Sequence, residues 1–238
     1  MEAVENRMHS RSDITELLLE SRENKKLWIV GRGLISNSLL DYLSITTPSK
    51  ADECRLEALL DIYRKTRAKI DTDENIEIFK KLYSHGLMDK VVYLDIDAIV
   101  SDIVDPNIVI EVYGSITRFR CKSCGWRASI EYVSENGCIC KKCGGELEPD
   151  IYLHRHSLPR KILSELIFEL TTADVVFVIF LTTDLTVFEL LLIALASHLA
   201  QVIVIEQNPP GYLCELVKCI AVSFREVAEA ILASKGDA

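Results

Sequence analysis

Two Cys-x-x-Cys pairs, Cys121-Lys-Ser-Cys124 and Cys140-Lys-Lys-Cys143, constrain this chain more than any other feature. A CxxC turn brings two thiolates to one side at the separation a tetrahedral Zn²⁺ requires, and two such turns complete a four-sulfur site. Fifteen residues lie between the pairs, with Gly125 after the first and Gly144-Gly145 after the second, small residues that let backbone amides face the sulfurs. Four thiolates leave no open position on the metal, so the spacing predicts a structural rather than a catalytic Zn²⁺ on Cys121, Cys124, Cys140 and Cys143. Cys138 stands two residues before Cys140 and can replace it, although only Cys140 makes a CxxC with Cys143. Cys54, Cys214 and Cys219 show no partner pattern and read as buried free cysteines.

Around this module the pattern alternates between strand and helix. Leu27-Trp28-Ile29-Val30 is a short apolar run ending at Gly31-Arg32-Gly33, and a second apolar stretch follows from Leu34 to Ile45. Strand, glycine turn and helix form the usual opening of a doubly wound α/β domain. Helical faces follow at Leu56, Leu59, Leu60 and Tyr63 and at Ile76, Ile78, Phe79 and Leu82. Strands are predicted at Val91–Leu94, Ile108–Val112, Val175–Phe180 and Val202–Ile205. Helices are predicted from Pro159 to about Leu170, from Leu185 to Ala200 and from Phe224 to Leu232, with a break at Pro209-Pro210-Gly211. Near the N-terminus Asp13 can cap a helix with Ile14, Leu17, Leu18 and Leu19 on its apolar face. The reading is α/β, with a mainly parallel sheet carrying helices on both faces.

Composition narrows the function classes. The formal net charge is −9, which argues against general phosphate-backbone binding. The ribbon is locally basic, with Arg118, Arg120, Lys122, Arg127, Lys141 and Lys142 around Phe119 and Trp126, and a solvated ribbon surface is favoured there over nucleic acid. The longest apolar run, Val175 to Leu181, has seven residues where a spanning helix needs about 20, so no membrane segment is expected. The N-terminus lacks an apolar secretory core, so a cytoplasmic protein with thiols and metal ligands, not a disulfide framework, is expected.

Taken with their surroundings, these residues resemble the sirtuins, NAD-dependent protein deacylases. Glu111-Val-Tyr113-Gly114-Ser115, the CxxC…CxxC-Gly-Gly segment, Leu147-Glu-Pro149-Asp150 and Leu158-Pro159 follow that family's E-L-H-G-S, zinc ribbon, L-R-P-D and L-P. Gly31-Arg32-Gly33-Leu-Ile-Ser36 resembles the G-A-G-I-S loop, and Ser38-Leu-Leu-Asp41-Tyr42 resembles S-G-I-P-D-F. Tyr93-Leu94-Asp95-Ile96-Asp97 stands where the family has T-Q-N-I-D, Thr182-Thr183-Asp184-Leu185 where it has G-T-S-L, and Glu206-Gln-Asn208-Pro209 where it has N-x-E-P. The resemblance covers about residues 27 to 210. It implies a Rossmann-like domain from 27–50, 90–115 and 152–238, and a small domain from a helical insertion (51–89) and a zinc ribbon (116–151); the residues before it, 1–26, read as an N-terminal helical segment.

The departures bear on chemistry. The family's general base is the histidine of H-G; here Tyr113 takes its place, and a phenol titrating near 10 is already protonated where imidazole can accept a proton. A base relocated to His154 or His156 is the alternative. The resemblance places the cofactor against Gly31, Arg32, Gly33, Asp95, Asp97, Thr183, Asp184 and Glu206. Asp95 replaces an amide donor with a carboxylate, and Thr182 and Asp184 bring a side chain and a charge to the phosphate end. Arg32 can pair a phosphate or plug the pocket. The expectation is a sirtuin-fold zinc protein without sirtuin catalysis, acting through a protein partner, a sirtuin paralogue or a second copy of itself, with NAD left open as a ligand. The alternatives are an NAD-dependent deacylase or ADP-ribosyl transferase, and an NAD or ADP-ribose sensor.

Overall fold

The computed structural model describes residues 7–8, 24–34, 56–152, 158–181 and 185–236. The expected helices near residues 13–19 and 35–45, together with Cys54, His154, His156, Thr183 and Asp184, lie outside the described residues.

A seven-stranded sheet forms the centre. Its strands are β1 (Arg7–Met8), β2 (Lys26–Val30), β3 (Lys90–Tyr93), β4 (Val109–Glu111), β8 (Val175–Ile179), β9 (Gln201–Ile205) and β10 (Lys218–Ile220), in the spatial order β1-β10-β9-β8-β2-β3-β4. Every pairing in it is parallel. A smaller antiparallel sheet, β6 (Arg127–Ser129), β5 (Gly114–Cys121) and β7 (Leu147–Ile151), carries the cysteine knuckles.

Parallel strands are buried on both faces, and their side chains divide by alternation. Leu27 and Ile29 of β2 and Val176 and Val178 of β8 face one core; Trp28, Val30, Phe177 and Ile179 face the other. The second core is closed by α2 (Glu74–Ser84), through Ile78, Phe79 and Leu82, and by α8 (Phe224–Gly236), through Phe224, Val227 and Ala228. Trp28 stacks on Phe177 with centroids 4.6 Å apart and donates its indole N–H to the Leu87 carbonyl at 2.9 Å, so the largest core side chain is also polar-satisfied. The first core is closed by α5 (Arg160–Thr172), through Leu166 and Leu170, and by α6 (Val187–Leu199), through Leu192, Ile193 and Ala196. It continues without a break into α1 (Leu56–Arg67), α4 (Ile130–Asn136) and the small sheet, where Phe119, Ile130, Val133 and Leu147 are buried.

The helices obey their sequence signals. Asp73 accepts the N–H groups of Asn75 and Ile76 to cap α2, and Thr186 with Glu189 forms a reciprocal capping box on α6. The Pro-Pro-Gly break opens a short helix, α7 (Gly211–Cys214), rather than a plain turn. Several short elements carried too few residues to be read from pattern, among them β1, β6, α3 (Ile99–Ile103) and β10.

Two expectations are corrected: that Cys214 and Cys219 are free, and that the cysteines serve only as thiols and metal ligands. Cys214 and Cys219 are joined by a disulfide that ties the end of α7 to β10, so they are not free thiols. Five residues of separation gave no recognised motif; the helix-to-strand return is what brings the two Cα atoms to 5.3 Å. Cys138 is likewise disulfide-bonded. No helix among the described residues is long and apolar enough to cross a membrane.

Candidate functional site

The ribbon converges on four sulfurs. The Sγ atoms of Cys121, Cys124, Cys140 and Cys143 all lie within 4.8 Å of one another, with Cys121 3.5 Å from Cys143 and Cys124 3.6 Å from Cys140. Each knuckle closes the same way: Gly125 N–H donates to the Cys121 carbonyl at 3.0 Å, and Gly144 N–H to the Cys140 carbonyl at 2.8 Å. Both glycines have φ near +70°, a conformation that favours residues without a Cβ. Backbone contacts from Cys124 and Ser123 lower the Cys121 thiol to about 6. The donor set fits Zn²⁺: four soft, mutually adjacent sulfurs on two rigid turns, with Cys140 and not Cys138 in the cluster.

The basic residues of the ribbon are largely paired. Arg118 meets Glu111, Arg120 meets Glu148 at 3.4 Å and Lys122 meets Glu146 at 2.8 Å, while Lys141 lies 5.0 Å over the Trp126 ring.

The second candidate region is the crevice at the carboxyl ends of β2 and β8. From β2 the order runs outward through β3 and β4 on one side and through β8, β9 and β10 on the other, which makes the β2–β8 seam the topological switch point. Open α/β sheets bind ligands there. Gly31 and Gly33 emerge at this point, but their amides are committed to the neighbouring strand: Gly31 N–H donates to Ile179 O at 2.8 Å and Gly33 N–H to Phe180 O at 2.9 Å. A Cβ on Gly31 would stand 2.3 Å from the Phe180 carbonyl oxygen. The glycine is therefore required by backbone approach alone. Phe180 itself adopts φ = 56°, the left-handed region, and its ring packs edge-on against Phe224 at 4.7 Å.

Arg32 turns inward. It is 3% exposed and pairs through a guanidinium nitrogen with Glu189 Oε2 at 3.3 Å; Glu189 is 1% exposed. The same carboxylate accepts the Thr186 N–H at 2.7 Å through Oε2 and the Tyr113 hydroxyl at 3.4 Å through Oε1. Tyr113 Oη also lies 3.2 Å from Thr186 Oγ1, and its ring meets Phe188 edge-on at 6.2 Å. Three segments thus converge on one buried carboxylate: the loop after β2, the turn after β4 and the first turn of α6. Burial, and then the charge of Glu189, push the Tyr113 phenol up to about 12.

The remaining positions are also engaged. Asp95 accepts the Ile96 N–H at 2.7 Å, and Asp97 accepts the Tyr93 hydroxyl at 2.6 Å and the Ile99 N–H at 3.1 Å. Glu206 accepts the Leu181 N–H at 2.6 Å, and burial raises its carboxyl to about 7. Glu206 borders a pocket of about 250 Å³ together with Asn75, Phe180, Ser223, Phe224 and Arg225. Sequence reasoning found Arg32, Tyr113 and Glu206 but missed Glu189 and Thr186. Their signal was present as Thr186-x-x-Glu189 ahead of an apolar run, a capping box whose acid is the only one in α6.

A family model described as the Sir2 family matches residues 43–188. An NAD-dependent protein deacetylase of Clostridium acetobutylicum is 28% identical over 127 residues, 51% of each chain. An NAD-dependent protein deacylase of Thermococcus kodakarensis is 32% identical over 107 residues, 42% of this chain and 41% of the other. The match spans about half or less of these relatives' length; with an NAD-dependent protein deacetylase of Oceanobacillus iheyensis it extends, at 28% identity, over 84% of this chain and 89% of that one. Among solved structures, one described as a structural basis for the mechanism and regulation of Sir2 enzymes superposes with a TM-score of 0.68 at 16% identity, covering 94% of this chain and 99% of that one. Another, described as a Sir2 His-to-Tyr mutant with p53 peptide and NAD, gives 0.64 at 16% identity, covering 96% and 100%. At that identity the structures speak for the fold alone. The family model spans more than half of the chain, and with the parallel sheet and the four-cysteine ribbon already in view, the conclusion is that this chain belongs to the Sir2 family.

Proposed function

We propose that this Sir2-family chain is a non-catalytic member, a zinc-stabilised protein that works by binding and not by consuming NAD. The observation that carries the reading is Tyr113 held by Thr186 and Glu189 with its phenol pushed up to about 12. A group at the family's base position must accept a proton near neutrality. At pH 7 a phenol titrating near 12 is ionised in only about one molecule in 10⁵. Burial and the charge of Glu189 keep the hydroxyl proton on Tyr113, and Arg32 pairs with that same carboxylate. Cys121, Cys124, Cys140 and Cys143 would hold Zn²⁺, which would fasten β5 to β7 with no position open for chemistry.

Among the described residues, part of the family's cofactor-binding set is already engaged within the protein. Both glycine amides are bonded to strand carbonyls, and Asp95, Asp97 and Glu206 are all bonded inside the protein.

One observation favours a second reading, a sensor that binds NAD or ADP-ribose without reacting. The pocket of about 250 Å³ beside Glu206 is lined by Ser223, which donates to Glu226, and by Arg225, which pairs with Glu74 and Glu229. It is smaller than the ~300–1,000 Å³ of a drug-sized site and would take part of a dinucleotide. The solved His-to-Tyr Sir2 mutant, described as a complex with NAD, makes the same exchange of residue types as that at Tyr113.

The test is calorimetric titration of the zinc-loaded chain with NAD and with ADP-ribose, alongside a deacylase assay on an acetyl-lysine peptide. The proposal expects no product. Saturable heat without product would select the sensor. Product formation would overturn both readings and support the activity named for the relatives.

A further inference from the structure

The outer surface of α6 is not that of a solvent-facing helix. Its inner side, Leu192, Ile193 and Ala196, is buried against the sheet. Its outer side carries Val187, Leu191, Leu195 and Leu199, which are 74, 64, 45 and 43% exposed. A surface helix ordinarily turns charge outward, and a helix apolar all round is one that is covered all round. The one acidic residue of α6, Glu189, points inward to Arg32. Beside it, α5 exposes Leu163 and Ile167.

We infer that this face joins two copies of the chain across a two-fold axis, with α6 of one copy packed on α6 of the other. Three observations select a second copy. First, Val187, Leu191, Leu195 and Leu199 stand at i, i+4, i+8 and i+12, a continuous i±4n ridge. A two-fold sets that ridge against itself, and two such ridges interdigitate at about −50°, the commonest helix-packing class in globular proteins. Second, the exposed apolar area of the ridge with Leu163 and Ile167 is roughly 500 Å² per copy, so a symmetric pair would bury up to about 1,000 Å² before any polar rim is added, and the rim brings it into the range of a specific interface. Third, the chain carries a net charge of −9, so most of its surface resists self-contact, whereas this ridge presents no carboxylate. The inference does not depend on the absence of catalysis.

The experiment is sedimentation velocity on the zinc-loaded full chain from about 1 to about 100 µM, a range in which a specific homodimer should assemble. The expected result is twice the 26.9 kDa chain mass. The double variant Leu191→Glu, Leu195→Glu should associate at least tenfold more weakly while keeping its zinc content and far-ultraviolet circular dichroism. Should that variant fail to fold, a benzophenone photo-crosslinker at position 191 of the otherwise native chain decides, and it should link to the 187–199 segment of a second copy. A monomer at the highest concentration, a folded double variant that still dimerises, or crosslinks mapping elsewhere would each overturn the inference.

Discussion

The zinc ribbon and the switch-point crevice sit on one continuous core yet solve opposite problems. In the ribbon, four thiols converge within 4.8 Å, a set of donors that an ion would complete. In the crevice, a cation, a carboxylate and a phenol converge and complete one another, with Glu189 serving Arg32, Tyr113 and Thr186 at once. Donors of one kind point to a missing partner, whereas donors and acceptors that match point to a structure already satisfied. Side-chain types in a pocket do not by themselves separate these cases; their pairing does.

The sharpest way to break the comparison is to remove the metal. Chelation of the zinc-loaded protein, or Cys140→Ser, should abolish the order of β5, β6 and β7, since structural zinc contributes on the order of 10 kcal/mol to such modules. Hydrogen exchange should then accelerate at Phe119 and Leu147 while Val176 to Val178 stay protected; unchanged exchange in the ribbon would show that it needs no ion.

Next in size is the buried pair. Glu189→Ala should destabilise by about 3–5 kcal/mol because it strands the Arg32 guanidinium, and Arg32→Met with Glu189→Leu should cost less than the sum of its single changes. Denaturant melts measure both. Glu189→Gln should also bring the Tyr113 phenol down towards its ordinary value, visible in an ultraviolet pH titration.

The Cys214–Cys219 disulfide closes only a small loop, so Cys214→Ser should lower stability by only about 2 kcal/mol.

The smallest effect is at Glu206. Its folded-state carboxyl is raised from 4.5 to about 7, so the stability it contributes is fully present below pH 4.5 and lost as pH rises through 7. Glu206→Gln keeps an acceptor for the Leu181 N–H and should gain about 1–2 kcal/mol at pH 8 and little at pH 5. A gain independent of pH would mean that burial is not what raises the carboxyl.

Much of the fold was legible because it repeats. Val175–Ile179, broken only by Phe177, and Val202–Ile205 are apolar runs rich in β-branched residues, as strands of a doubly covered sheet are, and the two CxxC pairs specify a tetrahedral cluster by spacing alone. Short-range chemistry was equally readable in the tyrosine at the base position. Hidden from the sequence were relations between distant segments. Arg32 and Glu189 are 157 residues apart, and nothing local says that one will neutralise the other. Gly31 and Gly33 read as a ligand loop until the β2–β8 register places the Phe180 carbonyl against them. The Cys214–Cys219 bond needs the return from α7 into β10. Sequence by itself determined the periodicities and the ligand spacings, because backbone geometry sets those within a few residues. Only the tertiary structure decided which polar groups meet, because burial makes each of them find a partner wherever the fold supplies one.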